Sequence, residues 1–142
     1  MKDIERGTLI LNTEEDTRAL GLRLAAAAEP GDIIALVGDL GTGKTALTGY
    51  IAEGLGISGK VNSPTFNIVK EYRDGRLPLF HFDVYRLSSG EELMDIGAED
   101  YLEGDGLSVI EWADIVADVL PEDALVIMLE YGEGDSRIAN IL

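Results

Sequence analysis

Ile33-Ile34-Ala35-Leu36-Val37 runs directly into Gly38-Asp39-Leu40-Gly41-Thr42-Gly43-Lys44-Thr45, and the reading of this stretch decides the fold. The apolar run is continuous rather than alternating, as in a strand buried on both faces of a parallel sheet. The segment after it fits G-x-x-x-x-G-K-[ST] at every fixed position, and a helix is predicted from about residue 43 to 55, closed by Gly54 and Gly56. Pattern and context therefore agree on a phosphate loop. Glycines let the backbone curl with its N–H groups inward, and the helix N-terminus adds positive potential where β- and γ-phosphates rest. Lys44 is expected to supply a mobile cation over those oxygens, and the Thr45 hydroxyl one Mg²⁺ ligand. Gly38, Asp39, Leu40, Gly41, Thr42, Gly43, Lys44 and Thr45 are thus the expected nucleotide contacts. The chain has only four lysines, and one of them stands in the required place.

Outward from this loop, strand-like and helix-like pieces alternate without repeat, low-complexity tract or linker, which predicts an α/β domain. Residues 8–11 read as a short strand. Asn12 or Thr13 is placed to cap a helix whose first turn carries Glu14, Glu15 and Asp16, where the helix dipole favours acids. Leu20, Leu24 and Ala27 fall on one face of it, and Pro30-Gly31 ends it. Residues 66–72 and 77–82 read as strands joined through Asp74-Gly75, a hairpin signal. A helical stretch over 91–102 is interrupted near Gly97, and 107–110 and 124–129 are further apolar strands separated by a segment that stops at Pro121. The expectation is one domain over residues 1–142, a P-loop NTPase-like three-layer sandwich with a mixed, mainly parallel sheet.

Composition narrows the function. With 142 residues, 46% hydrophobic and 27% charged, the chain suits one core and excludes disorder and coiled coil. Its longest apolar runs fall far short of the roughly 18 residues of a membrane span, and no secretory signal is readable, so the cytoplasm is the expected address. The absence of cysteine removes disulfides, thiolate catalysis and Cys-ligated metal. Eleven basic against 27 acidic residues give a net charge of −16, which opposes unaided nucleic-acid binding; the acidity serves solubility or the docking of a basic protein.

Hydrolysis further needs an acid at the end of a neighbouring strand and a group that positions water. Asp83 ends Leu77-Pro78-Leu79-Phe80-His81-Phe82-Asp83 and Glu111 ends Leu107-Ser108-Val109-Ile110-Glu111, so either qualifies as the metal-side acid. In Ser63-Pro64-Thr65-Phe66, Thr65 occupies the place of a switch threonine. No Asn-Lys-x-Asp segment is present, which tilts the base towards adenine. His81, the only histidine, reads as a structural or supporting residue; Trp112 divides between covering the end of the sheet and a functional contact. Arg86 is a candidate counter-charge for the acids or a partner contact. Arg73 and Arg76 read as solvated residues of a hairpin tip, and Glu91, Glu92, Asp95, Glu99 and Asp100 as a solvated helix face.

Taken in order, the loop, Ser63-Pro64-Thr65-Phe66, His81-Phe82-Asp83-Val84-Tyr85-Arg86-Leu87 and Ile110-Glu111-Trp112-Ala113-Asp114 resemble the TsaE (YjeE/YdiB) family, bacterial ATPases of the tRNA threonylcarbamoyladenosine pathway. The resemblance implies ATP and Mg²⁺ as ligands and a TsaB–TsaD heterodimer as partner. That pair carries the transfer to adenosine 37 of tRNAs reading ANN codons, ATP hydrolysis resets the complex between rounds, and tRNA is met only through the complex. It implies phosphate contacts from residues 41–45, Thr45 and Glu111 on Mg²⁺, and catalytic roles for Lys44, Asp83, Thr65 and Glu111, with Asp83 positioning water or acting as base. Trp112 would lie beside the nucleotide or partner, and Thr13 and Arg137 would border the adenosine. Ala46 departs from relatives that carry a second hydroxyl residue there. The rival expectations are a small P-loop kinase and a non-hydrolysing, nucleotide-dependent interaction module.

Overall fold

Four central strands supply the frame for the phosphate loop. The computed structural model describes residues 1, 3–64 and 67–142. In chain order these form β1 (Gly7–Leu11), α1 (Glu14–Ala27), β2 (Ile33–Val37), α2 (Lys44–Gly54), β3 (Val69–Tyr72), β4 (Leu79–Asp83), α3 (Gly90–Asp95), α4 (Ala98–Leu102), β5 (Leu107–Glu111), a 3₁₀ segment (Ala113–Val119), β6 (Leu125–Tyr131) and β7 (Arg137–Ile141). One seven-stranded sheet has the order β1-β7-β6-β2-β5-β4-β3. It is parallel across β6, β2, β5 and β4 and antiparallel at both margins, where β7 joins β6 and β1, and β3 joins β4. The mixed sheet is as expected. Strand β7 is an addition to the elements read from sequence.

Alternation along the central strands divides the core into two layers. Ile34 and Leu36 of β2, Leu79 of β4, and Leu107 and Val109 of β5 pack with Leu20, Leu24, Leu47 and Ile51 of α1 and α2. Ile33, Ala35, Phe80, Phe82 and Ile110 pack on the other side with Leu93, Ala98, Leu102 and Val116. The result is the three-layer sandwich, and both sides of β2 are buried as its unbroken apolar run requires.

Helices α1 and α2 approach closely because Gly21 offers no side chain. A Cβ there would lie 2.5 Å from the Tyr50 Cβ and 3.0 Å from the Tyr50 backbone carbon. Arg18 bridges the same pair, with Nη2 2.7 Å from Glu53 Oε1. Of the two candidate caps of α1, Thr13 is the one in place. Its hydroxyl accepts from the Asp16 N–H at 3.2 Å, and Asp16 Oδ2 accepts from the Asn12 and Thr13 N–H groups.

The β3–β4 hairpin forms around Asp74-Gly75, with β3 starting at Val69 rather than at residue 66, and one of its exposed arginines is also tied to the body of the fold. Arg76 Nη2 donates to the carbonyls of Ala25 at 2.5 Å and Ala28 at 2.9 Å. These carbonyls lie at the last turn of α1, where the Ala25 oxygen also accepts the Ala28 N–H at 3.4 Å and where the helix dipole attracts a cation. Arg73 stays at the exposed tip, paired with Glu71 at 2.9 Å. The carboxylates of α3 and α4 named above are exposed, as expected. Among the described residues no helix is long and apolar enough to cross a membrane.

Candidate functional site

The parallel strands β2, β4 and β5 end at one edge of the sheet, the place where open α/β sheets hold ligands. Register sets Asp83 of β4 beside Glu111 of β5, and Glu111 beside Leu36 of β2. The phosphate loop leaves β2 at this edge and enters α2, whose N-cap Gly43 is left-handed with φ 102°. Gly38 is required at the first turn: φ is 153°, and a Cβ would lie 2.4 Å from the Leu129 carbonyl oxygen. Thr42 closes the loop internally, its hydroxyl donating to the Asp39 carbonyl at 2.7 Å. Leu40 stands at the tip, 80% exposed.

Lys44 is folded back under the loop, only 5% exposed. Its Nζ donates to the carbonyls of Gly38 at 2.5 Å and Asp39 at 2.9 Å, and lies 4.1 Å from the centroid of the Trp112 ring. Burial lowers the Lys44 pKa from its ordinary value, opposed by the charges of Glu111, Asp39, Asp83 and Asp114. Trp112 is the one non-glycine residue at positive φ among the described residues, at 62°, and its ring packs 4.9 Å from that of Tyr85. The backbone turn directly after β5 thus aims the indole at the ammonium group.

Thr45, on the first turn of α2, donates its hydroxyl to Glu111 Oε1 at 3.0 Å and Oε2 at 3.2 Å. His81 Nε2 lies 2.5 Å from Glu111 Oε2 in the layer beneath. Asp83 is held separately: Oδ2 accepts from the Ser63 hydroxyl at 2.6 Å and Oδ1 from the Tyr85 N–H at 3.1 Å. Leu40, Gly43, Lys44, Thr45, Asp83, Glu111 and Trp112 line one cleft of about 330 Å³. Thr45, Glu111 and Asp83 offer it hard oxygen donors. That set suits Mg²⁺, which takes one or two carboxylates together with substrate phosphates. Thr65 lies outside the described residues.

Thr13 and Arg137, far apart in sequence, come together with Thr42, Gly43, Ala46 and Asp135 around a second cleft of about 190 Å³ on the other side of the loop. Arg137 Nη2 reaches to 3.5 Å from the Gly41 carbonyl, its guanidinium carbon is 5.0 Å from the centroid of the Tyr131 ring, and the Tyr131 hydroxyl donates to the Leu40 carbonyl. Tyr131 and Arg137 are register partners on β6 and β7, so this hairpin braces the loop tip from outside. Tyr131 belongs to none of the sequence motifs, and only the pairing of the two strands reveals it.

The profile of the family described as "Threonylcarbamoyl adenosine biosynthesis protein TsaE" matches residues 11–139. The chain is 48% identical over 123 residues to the tRNA threonylcarbamoyladenosine biosynthesis protein TsaE of Bacillus subtilis, covering 87% of this chain and 77% of that one. It is 42% identical over 130 residues to the protein of the same name from Treponema pallidum, covering 91% and 96%. The crystal structure of Bacillus subtilis YdiB superposes with a TM-score of 0.84 at 39% identity, over 96% of this chain and 84% of the other. Since the matched span contains the loop, both strand-end acids and Trp112, the chain belongs to the TsaE family.

Proposed function

We propose that this chain is a cytoplasmic Mg²⁺-dependent ATPase that serves the threonylcarbamoylation of adenosine 37 in tRNAs reading ANN codons, working with a TsaB–TsaD complex. The relatives' names supply the pathway. The observation that carries the ATPase reading is the convergence of a buried ammonium, a helix N-terminus and two strand-end carboxylates on one cleft. In this reading the triphosphate takes the place that the Gly38 and Asp39 carbonyls have at Lys44, and the ammonium turns to the β,γ oxygens. Thr45 and Glu111 would hold Mg²⁺, which neutralises the charge that develops on the phosphates. Asp83 orients the attacking water, its carboxylate kept in place by Ser63 and the Tyr85 N–H. Thr13 and Arg137 border the adenosine in the adjoining cleft. Among the described residues no arginine lines the cleft around Lys44, so turnover by the chain alone is slow and rises with the partner.

The test is ATP binding and phosphate release by wild type and Lys44→Ala, with and without the purified TsaB–TsaD pair. Wild type is expected to accelerate on mixing, and the variant to lose ATP binding. An unchanged affinity in the variant rejects the phosphate site, and a rate unmoved by the pair rejects the partner.

A further inference from the structure

Beneath the proposed phosphate cleft lies a buried pair of which only one member, Glu111, has a part in the reading above. His81 is 0% exposed and Glu111 3%. The alternation that sends Phe80 and Phe82 towards α3 and α4 turns His81 to the opposite face, the side on which Leu107 and Val109 place Glu111. Glu111 is consequently gripped from two elements. From β4, His81 Nε2 engages Oε2 at 2.5 Å; from α2, the Thr45 hydroxyl donates to both oxygens.

The other ring nitrogen of His81 sharpens the point. Nδ1 is buried and has no hydrogen-bond partner among the described residues. A buried polar atom left unpaired costs free energy, on the order of 1–3 kcal/mol, that Phe or Leu at this position would avoid. Packing alone therefore does not account for an imidazole here, whereas a directed Nε2–H does. A carboxylate on its broad terminal torsion is free to turn unless it is anchored. Groups behind a metal ligand do this, and their loss typically lowers metal affinity about 10–100-fold.

We infer that His81 is a positioning residue: its Nε2–H fixes the Glu111 carboxylate, and with it the Thr45 hydroxyl, towards the cation that accompanies the triphosphate. This inference rests on the Mg²⁺–ATP reading of the same cleft. It is tested on the full chain, freed of any histidine tag, by the affinity of a fluorescent, non-hydrolysable ATP analogue in EDTA and in Mg²⁺. His81→Leu is expected to reduce the Mg²⁺-dependent gain in affinity by roughly tenfold or more. His81→Gln, which keeps an N–H donor near the place of Nε2, is expected to recover most of it. A Leu variant with the full gain, or a Gln variant no better than Leu, overturns the inference.

Because the chain has a single histidine, ring ¹⁵N NMR reads the same point in wild type without any substitution. Nε2 is expected to carry a proton and to shift when the analogue is added with Mg²⁺ but not when it is added in EDTA. An Nε2 without a proton, or one that Mg²⁺ does not move while it strengthens binding, overturns the positioning role alone. Nucleotide binding by wild type that ignores Mg²⁺ overturns the parent reading, and this inference with it.

Discussion

Lys44 carries a cost that its position explains. An ammonium group at 5% exposure gives up most of its hydration, and two carbonyls and one indole face replace it only in part. Burial therefore lowers its pKa, while the carboxylates of Glu111, Asp39, Asp83 and Asp114 limit the fall. The sign of the consequence is clear. Phosphates bind the charged form, so affinity is full below the folded-state pKa and declines as pH rises through it. Because that pKa is depressed, the decline begins at lower pH than an ordinary lysine would give. In EDTA, nucleotide affinity is expected to fall as pH rises through the alkaline range below the ordinary lysine pKa of about 10.4. An affinity flat across that range contradicts the assignment. In the proposed reading, Asp83 separates binding from chemistry in a different way. Asp83→Ala is expected to keep nucleotide affinity within a few-fold and to lose phosphate release by about 10²-fold or more, as removal of a proton-accepting or water-orienting group does. Equal loss of both would make Asp83 a binding residue instead.

At the scale of elements, Gly21 links sequence to packing. Alanine at an interior helix position ordinarily gains about 1 kcal/mol over glycine. Here the new Cβ would stand 2.5 Å from the Tyr50 Cβ and 3.1 Å from the Ile51 nitrogen, atoms fixed to the backbone of α2. Separating α1 from α2 costs about 1–3 kcal/mol, which outweighs the propensity gain. Gly21→Ala is therefore expected to lower the melting temperature by about 2–4 °C; a rise would mean that the helices slide freely. The same pair of helices marks the limit of legibility. The cap at Thr13, the strand β2 and the loop into α2 are local patterns, and they are readable in the sequence. The alternation of Leu79, His81 and Asp83, and of Leu107, Val109 and Glu111, also carries the acids to one face. Arg76 escapes a sequence reading because its acceptors, the carbonyls of Ala25 and Ala28, are brought to it only by tertiary packing. Strand β7 escapes it too, because Arg137-Ile138-Ala139-Asn140-Ile141 is short and mixed in character, and becomes a strand by lying between β1 and β6.

The whole molecule is an acid with one small basic interior. Its net charge is −16, and several of its basic groups are already engaged: Arg18 by Glu15 and Glu53, Arg73 by Glu71, Arg76 by the end of α1, and Lys44 beneath the phosphate loop. Neutralising an RNA backbone takes several cations on one face, and each contact adds to the salt dependence of binding. In the proposed reading, the positive potential of the P-loop serves a triphosphate because the site is concave and local: backbone N–H groups and one ammonium act over a few ångströms, well inside the Debye length of about 8 Å at physiological salt. A polyanion lying on the exterior meets the summed carboxylates instead. The chain alone is therefore expected to leave tRNA unshifted in native electrophoresis at micromolar protein and about 150 mM salt, with or without ATP. If it retains tRNA unaided, the surface field does not govern its encounters, and the reading that tRNA is met only through a partner fails.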